Sequence, residues 1–251
     1  MRFSLKAALL LAAVAVSATA RAETIDILSA GAVEPGILAA AEAYKKQTGA
    51  DVKVRFATAP AILKQMGEGA KADIVLAPPP VLDELAKTNK IDATTRTPVG
   101  RVGAGIASRA GGPNPDIATS EALKKSVLAA ESVVFNTAST GLYLDRLFEK
   151  WGIAAEVKAK AKRYGNGEGV MEHLIKGTGN EFGFGAATEI VLYKDKGLRL
   201  LGPLPADVQN YTSYAATVHA TAANTKGAGE FLKFLGLPAT KKIFADRGVE
   251  Q

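Results

Sequence analysis

Residues 25–85 read IDILSAGAVEPGILAAAEAYKKQTGADVKVRFATAPAILKQMGEGAKADIVLAPPPVLDEL. Three apolar runs, 25–28, 52–56 and 74–77, have the length of strands, and each ends in small or turn-forming residues: SAGAVEPG, TAP and PPP. Behind each turn, apolar residues return at helical spacing, over 37–47 with a stop at Gly49, over 61–66 and over 82–87. Strand feeding helix three times in succession predicts an α/β fold, in which each helix covers the strand before it.

The pattern continues outward from this stretch. Residues 101–108 read as a glycine-rich strand with the loop RAGGPNPD behind it. A second set follows: helix 120–129, strand 132–135, the loop NTASTG and helix 142–150. Next come a basic amphipathic stretch at 156–163, the loop YGNGEG, helix 170–176 and strand 181–184 opening onto GAATE. Strands at 198–201 and 211–218 and helices at 228–235 and 240–246, with Pro238 between them, complete the chain. The expected architecture is two α/β lobes joined by two crossing strands, with a ligand cleft between them. Lobe 1 takes residues 23–103 and 200–251, and lobe 2 takes residues 104–199.

Composition excludes several classes. With 47% apolar and 22% charged residues the chain is globular, and with no Cys it has no disulfide framework, thiolate nucleophile or thiolate-bound zinc. Arg2 and Lys6 precede an apolar run at 7–16, and Ala20-Arg21-Ala22 forms a small-x-small site, so residues 1–22 read as a secretory signal peptide. That run is too short to span a bilayer. Cleavage would remove three of the 31 basic residues and none of the 25 acids, lowering the net charge from +6 to +3. No basic block or basic-aromatic stripe remains to suggest nucleic acid. The expected location is the periplasm.

Four strand-to-helix loops share small residues, hydroxyls and glycines: Ser29-Ala30-Gly31-Ala32, Thr58-Ala59-Pro60, Ser139-Thr140-Gly141 and Gly165-Asn166-Gly167. Unpaired N–H groups at a helix start, backed by the positive end of the macrodipole, bind anions without Arg or Lys. The same residues also serve as ordinary N-caps. Gly165-x-Gly167-x-Gly169 lacks the dinucleotide-binding spacing and follows a basic stretch that does not read as a strand.

The quoted stretch, with TGLYLDRLFEKWGI at 140–153 and the closing FLKFLGLPATKKIFADRGVE, resembles the periplasmic solute-binding proteins of ABC importers, and among them the molybdate-binding protein family. The resemblance implies a type II periplasmic binding protein whose two lobes close on a small anion and deliver it to an ABC permease. It also implies a monomer with no metal and no cofactor. In that family serine hydroxyls, backbone N–H groups and a tyrosine grip a tetrahedral oxyanion.

Carried over by position, the first ligand serine falls on Ala32, where the hydroxyl is absent, and the second serine-bearing loop falls on Thr58, Ala59 and Pro60. The N–H donor of the third loop falls on Thr140 before Gly141-Leu142-Tyr143, and the fourth loop falls at 166–168. The tyrosine falls on Ala186. On this reading Ser29, Thr58, Ser139 and Thr140 carry donors, Ala32 and Ala59 offer backbone N–H groups, and Asn166 and Ala186 line the far lobe. Losing a serine and a tyrosine widens the cleft, and Glu34 and Glu168 at two helix starts would repel a divalent oxyanion if they face it. The expected ligand is therefore a small anion, either a molybdate-like oxyanion or, as these departures suggest, a larger organic carboxylate with hydroxyl groups.

A looser resemblance is to periplasmic aconitate isomerase, which implies proton transfer on a tricarboxylic acid, with Glu34 or Glu168 as the acid/base group. A structural or adhesive role would predict no ligand-induced stabilisation at all. His173 and His219 lack metal-ligand spacing, no G-x-S-x-G elbow is present, and Tyr211 and Tyr214 read as packing residues on an alternating strand. The direction of Lys64 and Arg163 is open.

Overall fold

A computed structural model of the chain describes residues 24–251, so the expected signal peptide at 1–22 lies outside the described residues. The fold is α/β. The strands are β1 (Ile25–Ala30), β2 (Val52–Ala57), β3 (Ile74–Ala77), β4 (Ile91–Arg109), β5 (Ser132–Asn136), β6 (Ala161–Tyr164), β7 (Glu181–Ala186), β8 (Leu198–Pro203) and β9 (Tyr211–His219). The helices are α1 (Glu34–Thr48), α2 (Ala59–Gly67), α3 (Pro79–Lys87), α4 (Ser120–Ala129), α5 (Ser139–Lys150), α6 (Ala154–Lys160), α7 (Gly167–Lys176), α8 (Ala187–Leu192), α9 (Thr225–Leu235) and α10 (Pro238–Ala245).

The strands join in the order β2-β1-β3-β9-β4-β7-β5-β6, with β8 pairing β4 off this path. β1 lies parallel between β2 and β3, and β5 lies parallel between β6 and β7. These two parallel trios sit at opposite ends, and the 19-residue β4 runs from one half to the other. Its first part pairs with β9 as far as Gly103–Tyr211, and its last part, from Ala104 to Arg109, pairs with β7 and β8. Residues 204–210 bring the chain back, and Tyr143 on α5 donates from its hydroxyl to the Val208 carbonyl at 2.6 Å on that return.

The core follows the same division. One cluster gathers Ile27, Ile37, Ile62, Leu76, Phe231 and Phe244 about the β1–β3 trio. On the other side β5 is buried along its whole length: Val133 and Phe135 face a cluster with Leu144, Phe148 and Phe184, while Val134 faces one with Val170, Met171 and Ile190. Alternate residues of a strand point to opposite faces, so helices cover this sheet on both sides, as parallel strands require.

Three expectations need correction, and one helix appears where none was expected. The strand expected at 101–108 starts ten residues earlier, because Pro98 and Gly100 (φ +139°) sit where the pairing with β9 shifts register and interrupt the alternation. The basic stretch at 156–163 divides into α6 and β6, so the glycine loop at 165–169 does follow a strand. GAATE opens a helix, α8, whose six residues include three β-branched ones and no capping Ser, Asp or Asn. Pro238 does not separate two helices; it is the first residue of α10, where its missing N–H costs no hydrogen bond.

Candidate functional site

The loops after β1, β2 and β3 and those after β5, β6 and β7 all open onto one cavity of about 770 Å³. Carboxyl ends of parallel strands, on either side of a strand whose neighbours run to left and right, are where α/β sheets leave a crevice. Here two such crevices face each other. The walls are helix starts: Thr58 and Ala59 open α2, Ser139 and Thr140 open α5, and Asn166 and Gly167 open α7.

Each start is built by its own residues. Thr58 is the N-cap of α2 in extended conformation, and its side chain makes no capping bond to the helix. Before α5, the Asn136 side-chain oxygen accepts from the Ala138 N–H at 3.0 Å and the Gly141 N–H at 3.2 Å. Gly141 is required there, because a Cβ would strike the Asn136 carbonyl. The first-turn N–H groups of Ser139 and Thr140 lie at the cavity without intrahelical partners. Asn166 caps α7 by accepting from the Gly169 N–H at 2.9 Å.

Acids gather in the same cavity. Glu189, on α8, is only partly exposed, and its carboxylate sits between the two halves: a Cβ on Gly31 would lie 2.8 Å from one oxygen, and a Cβ on Gly167 would strike the other. Burial first and the charge of Glu34 second push its pKa from 4.5 to about 7, against the lowering effect of the Ala186 N–H that it accepts. Glu34 is raised as well, by burial and then by Glu168, while Lys196 pulls it down. Lys196 is the one Lys or Arg among the described residues lining the cavity, and its ammonium lies 4.5 Å over the Tyr193 ring. Tyr193 and the buried Tyr214 both hold their phenolic protons above the usual range, by desolvation first and then by neighbouring glutamates.

Residues 25–250 match the family of bacterial extracellular solute-binding proteins. The chain belongs to that family. An aconitate isomerase from Pseudomonas sp is 29% identical to it, over 97% of this chain and 94% of that one. The Azotobacter vinelandii periplasmic molybdate-binding protein superposes with a TM-score of 0.74 at 14% identity, covering 90% of this chain and 99% of that chain. The sulfate-binding protein SubI of Mycobacterium tuberculosis superposes at 0.73 with 18% identity, covering 90% and 86%. At such identities the two structures carry the fold, that of periplasmic binding proteins.

In this solute-binding protein seven of the eight residues expected to contact ligand line the cavity: Ala32, Thr58, Ala59, Ser139, Thr140, Asn166 and Ala186. Ser29 does not. It is fully buried in β1, and its hydroxyl donates to the Ala30 carbonyl at 3.1 Å. Asn166 commits its side-chain oxygen to the cap, and the Ala186 N–H is turned to Glu189. Glu34 and Glu168 both line the cavity, Glu34 half-buried in it and Glu168 exposed at its rim.

Arg163 is held away by a two-point pair with Asp145 and by the Phe135 ring, and Lys64 lies on the surface beside Glu68. His173 is tied between the Tyr164 hydroxyl and Glu181. No cluster of potential metal ligands occurs among the described residues. Sequence reasoning missed Glu189, Tyr193 and Lys196 because it missed α8, and it read Tyr214 as packing only. The core role is real, but Tyr214 also lines the cavity.

Proposed function

We propose that the chain captures a small organic polycarboxylate in the periplasm and delivers it to an ABC importer. Two lobes, one built on the β1–β3 trio and the other on the β5–β7 trio with β8, would close on the ligand about β4 and the return at 204–210. One observation carries the reading: helix starts from both halves converge on a single cavity whose charged lining is three glutamates and one lysine. A compact oxyanion would leave much of 770 Å³ unfilled and would meet repulsion from Glu34 and Glu168. A longer molecule can place carboxylates on the α2 and α5 helix starts, turn a hydroxyl to the glutamates, and accept a hydrogen bond from Glu189 where it is protonated.

Thermal-shift and calorimetric titration with molybdate, sulfate, citrate and trans-aconitate test this. At a hundredfold excess over Kd a ligand stabilises by about 2.7 kcal/mol, a shift of several degrees. Citrate or trans-aconitate should give it. A tight 1:1 heat with molybdate and none with the carboxylates would overturn the reading.

A second reading, isomerisation of a tricarboxylic acid in the same cleft, is favoured by Glu189. A carboxyl group that titrates near neutrality in a ligand-sized cavity suits acid/base work. The full-length similarity to an aconitate isomerase points the same way.

A further inference from the structure

We propose that Glu189 is the group that moves the proton in an allylic isomerisation of a small unsaturated tricarboxylate held in this cleft. The inference rests on the isomerase reading above. Glu34 and Glu168 stand at helix starts on the same cavity, but the geometry favours Glu189 over both. Glu168 lies exposed at the rim, and Glu34 has Lys196 acting on it, whereas no cation is among the groups that shift Glu189. Its carboxylate touches glycines of both halves, Gly31 on one side and Gly167 on the other. A ligand bridging the halves would therefore pass directly over it. A Cβ at 31 or 167 would collide with it, so the two glycines make room for the carboxylate in the wall of the cavity that Glu189 lines.

The step balances without a further reagent. The ionised Glu189 carboxylate takes a proton from the methylene carbon beside the double bond. The electron pair left behind spreads over the three-carbon allyl unit and into the attached carboxylate, whose charge the N–H and O–H donors at the α2 and α5 starts would stabilise. The Glu189 carboxyl then returns its proton to the far end of the allyl unit. The double bond has moved by one carbon, nothing is oxidised or reduced, and the glutamate is ionised again. One carboxyl that shuttles a proton both ways works best with a pKa near the working pH, which burial and the Glu34 charge supply. The groups that interact with it are Glu34 from α1, Tyr193 after α8 and Tyr214 from β9, while Glu168 from α7 and Lys196 after α8 line the same cavity.

The experiment incubates the chain, Glu189→Gln and Glu34→Gln with cis- and trans-aconitate in D₂O, follows both isomers and methylene deuteration by proton NMR, and measures trans-aconitate binding by calorimetry. The wild type should interconvert the isomers and wash deuterium into the methylene. Glu189→Gln should still bind trans-aconitate, yet lose turnover and exchange by about 10²–10⁴-fold, the usual worth of a general acid/base. Glu34→Gln should move the rising limb of the kcat profile to lower pH, since Glu34 holds Glu189 up. Wild-type turnover and exchange in Glu189→Gln would overturn the assignment and leave the isomerase reading standing. A wild type that binds but neither turns over nor exchanges would overturn both.

Discussion

Replacing Glu189 by Gln should stabilise the protein, and only above mildly acidic pH. The fold holds this carboxyl at about 7 against 4.5. The folded chain thus keeps a proton that the unfolded chain has lost, and stability falls as pH rises between those values. Below about 4.5 the group is neutral in both states and contributes no pH dependence. Above about 7 it is ionised in both, and the folded chain carries the full cost of an enclosed charge beside Glu34. A tenfold change in proton affinity is worth about 1.36 kcal/mol, so holding the carboxyl at about 7 costs roughly 3 kcal/mol once it ionises. Gln keeps the shape and an acceptor for the Ala186 N–H but does not ionise. Urea denaturation should show the variant equal to wild type near pH 4.5 and more stable by roughly 3 kcal/mol at pH 8, or about 6–12 °C in Tm for a chain of this size. Titrating groups that do not interact with Glu189 are common to both proteins and drop out of the difference, which leaves Glu189 and the Glu34 charge coupled to it. A difference that stays constant with pH, or a variant less stable at pH 8, would show that Glu189 is not held protonated by the fold.

Gly167→Ala should destabilise by about 1–3 kcal/mol through collision with the Glu189 carboxylate, and a double-mutant cycle with Glu189→Ala should recover most of the loss. Asn136→Ala removes the acceptor for the Ala138 and Gly141 N–H groups; chemical denaturation should register a loss of about 1–2 kcal/mol, and calorimetry should show weaker anion binding as Ser139 and Thr140 lose their support. Lys196→Ala removes the cation that lowers Glu34. NMR titration should find Glu34 higher still, and polycarboxylate affinity should fall at low salt with a difference that shrinks as salt screens the charge.

Much of the fold is legible in residues 25–85, where apolar runs of strand length alternate with helical periodicity and small-residue turns. The loops after β1, β2, β5 and β6 stand out because glycine, hydroxyls and proline mark a chain turning from strand to helix. Legibility fails where tertiary contacts override local signals. Ser29 has the composition of a donor but is the fifth residue of a strand buried along most of its length, so it faces the core. β6 reads AKRY, a polar edge strand whose aromatic end packs over Gly169, and nothing in four such residues announces pairing with β5. α8 follows its N-cap Ala186 with no cap from that residue's side chain, and it is held by tertiary contacts: Ile190 packed in the core and the Thr188 hydroxyl donating to the Ala32 carbonyl, 156 residues away. The acid with the strongest claim to chemistry lies on that helix, so the missed element and the missed residue are one omission.

A cleft made of helix starts and glutamates should take an organic polycarboxylate in preference to a compact oxyanion. Calorimetric titration of the purified chain at pH 7 with trans-aconitate and, separately, with molybdate puts the two ligand classes in direct comparison. Saturable 1:1 binding of trans-aconitate, weakened in Asn136→Ala, and no stoichiometric heat with molybdate are expected. Stoichiometric molybdate binding with no response to trans-aconitate or citrate would contradict the assignment.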